Sequence, residues 1–369
     1  MYFQIIDNNS ECLKVYRAGD FMDYSESPEM KKTWKHSVHL TSREDVDYAF
    51  LYSGGTLESV CPIFIEDSWK NNSNRISAIM KSVLTAKCNI RDYCIYDYMP
   101  LDILTLFLQD KENIIKHVFE NIPKPDHYDI LKKAHILTEE MNARENLYKG
   151  NLKNTNYNVF GTRTGRLSNK QSGIPILTMK KEERVFLEPS NDLFVEFDFN
   201  AAELRTLLAL SGNEQPNTDI HEWTRVKTDL SREDMKKRTF AWLYNPEARD
   251  SLLEEFYDRD LVKDKYRHKD GVQTPFSRFI ETDERRSLNY IVQSTSSDVC
   301  VEQAYKLREL FKDCRTKICY LLHDSVILDY AKEDRGKFLE AKRIFGETRF
   351  GDYVVNSSIG KNFRDMKEV

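Results

Sequence analysis

The chain has 369 residues, of which 40% are hydrophobic and 31% charged, with a formal net charge of −5. That length suffices for two or three domains with their own cores, and no apolar run is long enough to span a bilayer as a helix, so a membrane protein is not expected. The negative balance excludes a protein that merely coats nucleic acid, because phosphate affinity comes from clustered Lys and Arg, but it is compatible with an enzyme whose cations line one cleft.

The opening MYFQIIDNNSECLK predicts a short strand from Tyr2 to Ile6. It lacks a basic segment followed by an apolar one, so no targeting signal is seen and a cytoplasmic location is expected. Seven cysteines form no CxxC pair and read as reduced, mostly buried thiols. Helical periodicity runs through LDILTLFLQDKENIIKHVFENI until Pro123 and Pro125 break it. No nuclease signature of the D-x-E type is expected in the region, and Asp7 with Glu11 is too weak a pair for metal chemistry. Residues 1–130 are expected to form a scaffold or partner-binding region, or a degenerate exonuclease-like one. A charged helical stretch, YDILKKAHILTEEMNARENLYKG, then leads into a loop around Asn151 to Asn158.

In GTRTGRLSNK, Arg163 and Arg166 stand among glycines and small hydroxylated residues, a composition that can track a nucleic-acid backbone. The segment VFLEPSNDLFVEFDFNAAELRTLLALSG reads as a strand ending at Asp198 and then a helix. A carboxylate at that junction can hold a cation at the mouth of a sheet, or serve as the helix N-cap. In SREDMKKRTFAWLYNPEA, Ser231 is a plausible N-cap, and Arg232, Lys236, Phe240 and Tyr244, four apart, share one helical face. Two cations followed by two rings suit a nucleoside triphosphate, although a partly core-facing solvated helix fits the same pattern. Asn289 and Gln293, four apart on a further predicted helix, can reach base edges or sugars in a minor groove. ICYLLHDSVILDY predicts a β-hairpin with Asp324 at its tip, either as an ordinary polar turn or as a second aspartate that joins Asp198 around two metal ions.

In order along the chain, TxTGRLS, DxxxxELR, RxxxKxxxFxxxY, NxxVQ and HD resemble the motifs of the polymerase A family of DNA polymerases, from about Thr162 to the C-terminus. The resemblance implies an α+β, right-hand polymerase fold: an antiparallel palm sheet, helical fingers, a reduced thumb and a small N-terminal α/β region. The expected boundaries are a thumb-like segment at 131–155, palm at 156–211 and 284–369, and fingers at 212–283. It also implies that Asp198 and Asp324 bind two Mg²⁺ ions, for which Mn²⁺ can substitute, and that Lys236 is the general acid for departing pyrophosphate. Arg232, Lys236, His221, Phe240 and Tyr244 are implied to contact the dNTP, and Glu203 to exclude a ribose 2′-hydroxyl. Arg166, Asn289, Gln293 and His323 resemble contacts to primer-template DNA.

Departures from the family pattern carry expectations of their own. Relatives usually read HDE where this chain has Ser325 third, which predicts activity, at a reduced level. Asn245 replaces a glycine after Tyr244 and is expected to supply a left-handed turn. Phe199, Asn200 and Ala201 replace Tyr, Ser and Gln, so contacts to the primer strand are expected to differ. Before TGRLS the chain is short for a full thumb plus exonuclease, predicting low processivity or reliance on a separate exonuclease, processivity factor or other replisome protein, as in a phage-type enzyme acting in bacterial or phage-infected cytoplasm. Two rival readings are a single-subunit RNA polymerase-like enzyme, against which Glu203 argues, and a catalytically inactive accessory subunit, against which the joint retention of Asp198, Asp324, Arg232 and Lys236 argues.

Overall fold

The computed structural model describes residues 2–5, 12–23, 31–35, 45–88 and 94–369; Asp7 and Glu11 lie outside them. The chain divides into two compact units, Met1–Tyr128 and Asp129–Val369. Among the described residues no helix is long and apolar enough to cross a membrane.

In the first unit, β1 (Gln4–Ile5), β2 (Lys14–Arg17) and β3 (Asp20–Asp23) form an antiparallel sheet in chain order. Two long helices follow, α1 (Glu66–Thr85) and α2 (Leu101–Asn121). The helical spacing of Leu104, Leu108, Ile115 and Val118 buries one face of α2, and Phe107 stacks on Trp69 of α1 with ring centroids 5.2 Å apart. Two expectations are corrected here. Asp110 and Glu112 do stand at D-x-E spacing, but within α2, where residues two apart point to different faces and cannot converge on one metal. Asp110 accepts hydrogen bonds from Ser68 and Asn72, both at 2.8 Å, and Glu112 accepts one from Tyr16 at 3.1 Å. The cysteines are not all free thiols either: Cys12 and Cys94 form a disulfide, brought together across 82 residues by an apolar cluster with Tyr16, Ile76 and Ile95. Spacing rules see only nearby pairs.

The second unit opens on α3 (Tyr128–Ala143), which is shorter than its charged sequence suggests. Residues expected to continue it form β4 (Glu145–Tyr148), paired antiparallel with β5 (Asn151–Asn154) and with β6 (Leu187–Glu188). The last turn of α3 is capped by residues a dozen positions away: Asn154 donates to the carbonyls of Asn142 and Arg144, and Thr155 to that of Met141. Carbonyls at a helix end need partners, and these are supplied by the returning strand.

Next come β7 (Leu193–Phe199), α4 (Ala202–Leu210), α5 (Ile220–Arg225), α6 (Arg232–Tyr244) and α7 (Arg259–Lys265). A small antiparallel ribbon of β8 (Arg267–His268), β9 (Gly271–Gln273) and β10 (Phe279–Glu281) precedes the long α8 (Glu284–Leu310). The chain closes with β11 (Lys317–Leu322), β12 (Ser325–Tyr330), α9 (Phe338–Gly346), β13 (Val355–Gly360) and β14 (Lys367–Glu368). A five-stranded sheet runs β11-β12-β7-β13-β14, antiparallel at every pairing. The α+β expectation is met at this level.

Strand alternation sorts the residues of β7. Phe197 and Phe199 pack under α9, Phe199 stacking on Phe345 at 4.3 Å, while Glu196 and Asp198 share the opposite face. Leu204, Leu207, Leu208 and Leu210 of α4 join Met235, Trp242, Leu253, Val262 and Ile291 in a separate core that anchors α5 to α8.

Candidate active site

Two aspartates meet at one end of the sheet. Asp198 pairs across β7 with Ser325 on one side and Asn356 on the other, and Asp324 immediately precedes Ser325 in the tight β11–β12 turn, its carbonyl accepting from the Phe199 amide at 3.2 Å. His323 completes the turn with φ +54°. Asp198 is not the N-cap of α4. That place belongs to Ala201, whose left-handed φ of +53° turns the chain sharply out of the strand.

Burial and the neighbouring Asp324 and Glu196 push Asp198 up to about 7, with a hydrogen bond from Asn356 and the charge of Lys236 opposing. Burial likewise raises Asp324, with Glu203 adding to it while His323 and Arg166 oppose. No ion pair reaches either aspartate among the described residues. Two half-buried carboxylates set side by side and lacking a counter-ion form a hard-oxygen donor set that suits a divalent cation. Among the described residues no group of three or more His, Cys, Asp or Glu is gathered as a metal cage, so protein oxygens at this point would supply only part of a coordination shell.

Around this pair the remaining side chains form two connected sets. In the first, Glu203 of α4 binds Arg166 through one carboxylate oxygen and accepts the Tyr244 hydroxyl at 2.5 Å through the other. It thus ties the TGRLS loop to the C-terminal end of α6. Arg166 and His323 also line one small pocket with Ser297 and Cys300 of α8. Tyr244 lies parallel to Phe240 at 5.9 Å, and Phe240 lies 5.9 Å from His221. His221 is buried, its Nδ1 has no hydrogen-bond partner among the described residues, and burial lowers its pKa.

The second set holds Arg232 in place. Ser231 caps α6 by accepting from the Asp234 amide, as its sequence suggests. Asp219, the N-cap of α5, accepts from the His221 and Glu222 amides, from Asn200 at 2.7 Å and from the Arg232 guanidinium at 2.6 Å. The Arg232 and Asn200 bonds hold its carboxyl far below the usual range despite burial. Lys236, one turn on from Arg232, is exposed, and its charge acts on both Asp198 and His221. Asn289 and Gln293 stand one turn apart on α8, half-buried, and no hydrogen bond joins them to the cluster among the described residues.

Asn245 departs from expectation: it is extended, with φ −102° and ψ 106°. The following Pro246 excludes helical geometry at the residue before it, and the buried Arg259 guanidinium caps the carbonyls of Trp242 and Asn245. No left-handed residue is needed there.

Sequence reasoning did not single out Glu196, Asp219, Arg278 or Asn356. Arg278 makes a buried two-bond ion pair with Asp298 of α8, at 2.8 and 3.3 Å, which supports the TGRLS loop from beneath. Gly165 has φ +75°, and a Cβ there would meet the Arg278 guanidinium carbon at 2.5 Å. Replacing Gly165 with Ala is therefore expected to destabilise the protein by about 2–4 kcal/mol, by combining backbone strain with displacement of a buried ion pair. A denaturant midpoint unchanged from wild type would refute that account of the glycine.

No protein-family model matches the chain. It is 25% identical to the thermostable DNA polymerase I of Thermus aquaticus, over 58% of this chain and 33% of that protein. The polymerase domain of Pol1 from M. smegmatis, solved in complex with DNA primer-template and dNTP, shares the fold with a TM-score of 0.50 at 16% identity, over 71% of this chain and 55% of that one. The chain thus spans about a third of the curated relative and about half of the solved domain. Motif order, sequence relative and fold agree, and the chain resembles a divergent family A DNA polymerase.

Proposed function

We propose that the protein is a template-directed DNA polymerase that adds dNTPs to a primer 3′-hydroxyl by two-metal-ion nucleotidyl transfer. The observation that carries this reading is the juxtaposition of Asp198, near the end of β7, and Asp324, in the β11–β12 turn beside it, with Lys236 near enough for its charge to bear on Asp198. In this reading the five-stranded sheet is the palm, residues 212–283 are fingers, and residues 131–155 take a thumb-like role. Asp198 and Asp324 would hold Mg²⁺. When bound, the metal activates the primer hydroxyl and neutralises charge on the phosphates.

The chain's own groups do the rest. Arg232 and Lys236 lie toward the N-terminal half of α6, where the helix dipole also favours anions, and are suited to grip a triphosphate. Asp219 holds Arg232 in the unliganded protein, so an incoming phosphate would compete with that carboxylate. Lys236 delivers a proton to the departing pyrophosphate. Tyr244 sits on Glu203, and the same carboxylate that it covers would meet a ribose 2′-hydroxyl. Arg166, His323, Asn289 and Gln293 would contact primer and template. Proofreading is not assigned to any group in the chain.

The test is primer extension on a defined template with single dNTPs or rNTPs. Incorporation only of the dNTP that matches the template is expected. Equal use of rNTPs would instead favour an RNA polymerase-like enzyme, and no incorporation with any divalent metal would favour an accessory role. Glu203→Ala is expected to raise the ratio of rNTP to dNTP incorporation at least about tenfold, since it removes the bulk that meets the 2′-hydroxyl. An unchanged ratio would mean that sugar selection lies elsewhere.

A further inference from the structure

On the face of the sheet that carries Asp198, a third carboxylate stands two residues earlier on the same strand. Glu196 lies directly opposite Ser358 of β13, and its Oε2 accepts the Ser358 hydroxyl at 3.0 Å. Its Oε1 accepts the Ser325 hydroxyl at 3.2 Å, from the strand on the other side. Both carboxylate oxygens are thus held by buried or half-buried hydroxyls on the flanking strands, and each keeps acceptor capacity to spare.

No cation is paired with Glu196 among the described residues, and its negative charge acts on Asp198. Neutral hydroxyl donors fix a carboxylate in place without neutralising it. A structural role alone would not require a charge here, because a glutamine of the same size could accept from one serine hydroxyl through its oxygen and donate from its amide nitrogen to the oxygen of the other. Ser325 is the residue that follows Asp324 in the hairpin, the place where the HDE pattern would put an acid. Here that position carries only a hydroxyl, and the hydroxyl is directed at an acid on the neighbouring strand.

We propose that Glu196 is the third acid of the metal site, supplied from β7 instead of from the hairpin, and positioned by Ser325 and Ser358. This inference rests on the two-metal reading of Asp198 and Asp324. Glu196 acts as a positioning residue: its spare acceptor capacity would take a hydrogen bond from water on a bound metal, and its charge adds negative potential beside Asp198 that would favour a divalent cation.

The test is titration of the full chain with Mn²⁺, read by the electron paramagnetic resonance of free Mn²⁺, alongside thermal unfolding and primer extension. Glu196→Gln keeps the size and one acceptor bond, with its amide nitrogen donating to the other serine oxygen, and is expected to leave the metal-free unfolding temperature within a few degrees while weakening Mn²⁺ binding about tenfold. Moving the acid back, with Glu196→Ser and Ser325→Glu combined, is expected to recover most of that loss. Mn²⁺ binding by Glu196→Gln equal to wild type would overturn the proposal, and should the exchanged variant not fold, the Glu196→Gln titration alone decides. Asp324→Asn separates the two levels of the argument. If it loses Mn²⁺ binding while Glu196→Gln does not, Glu196 is merely structural; if Asp324→Asn also binds Mn²⁺ as wild type does, the metal reading fails and Glu196 falls with it.

Discussion

Asp198→Asn is expected to abolish primer extension, by three or more orders of magnitude, and at the same time to make the metal-free protein more stable. Both effects follow from one feature. Burial and the facing acids raise Asp198 from its ordinary 3.8 to about 7. A carboxyl whose folded-state pKa is raised contributes stability that is fully present below about pH 4 and is lost as pH climbs through about 7. Above pH 7, ionised Asp198 therefore strains the fold, with an upper bound of about 4 kcal/mol from the size of the shift. Asparagine removes that charge and with it the strain.

The same sign dictates how metal and pH interact. A divalent cation must displace the Asp198 proton below about pH 7, so Mg²⁺ affinity should fall as pH drops from 8 to 6, and added Mg²⁺ should stabilise the protein more at pH 8 than at pH 6. Unfolding temperatures of wild type and Asp198→Asn across pH 5–8, with and without Mg²⁺, check this. A metal-free wild type more stable at pH 8 than at pH 5, with no gain in the variant, would contradict the electrostatic account.

Lys236→Ala is expected to lower the rate of incorporation by about 10²–10⁴, the range typical for loss of a general acid that also contacts the reacting phosphates. Its stability cost should be within about 0.5 kcal/mol, because Lys236 is exposed and in no ion pair among the described residues. Arg232 makes the contrast. It already bonds Asp219 and Glu233, so Arg232→Ala strips partners from a partly buried carboxylate and should cost stability as well as activity. Single-turnover kinetics with chemical denaturation measures both. A Lys236→Ala enzyme with a weakened KM for dNTP but an unchanged maximal rate would make the lysine a binding group and not a proton donor.

The elements that position the site were legible because their signals are local. Alternation in LFVEFDF sets Asp198 on the face away from Phe197 and Phe199, and a run of Ile, Leu, Val and Tyr around His323 and Asp324 suggests the hairpin that is observed. The four-residue spacing from Arg232 to Tyr244, and its Ser231 cap, are equally local.

What escaped was tertiary. Asp219 looks like an ordinary N-cap until Arg232 and Asn200 are seen on its outer oxygen. Arg278 carries no motif, and its tie to Asp298 and to the space beside Gly165 emerges only when β10, α8 and the TGRLS loop are assembled. Residues after Ala143 read as helix because their charges continue the pattern, and only the side chains of Asn154 and Thr155 end it. Analogy with the family's glycine suggests a left-handed turn at Asn245, whereas Pro246 favours the extended backbone that is found there. Glu196 carries no sequence signal within its apolar strand, since its partners Ser325 and Ser358 lie far along the chain.

The measurement closest to the central claim is nucleotide-resolved extension of a primed DNA template with Mg²⁺ and dNTPs, comparing wild type with Asp324→Asn. The account predicts template-matched extension by the wild type, its loss on chelation of the metal, and no detectable product from Asp324→Asn. Extension by Asp324→Asn at a rate near that of the wild type would contradict it.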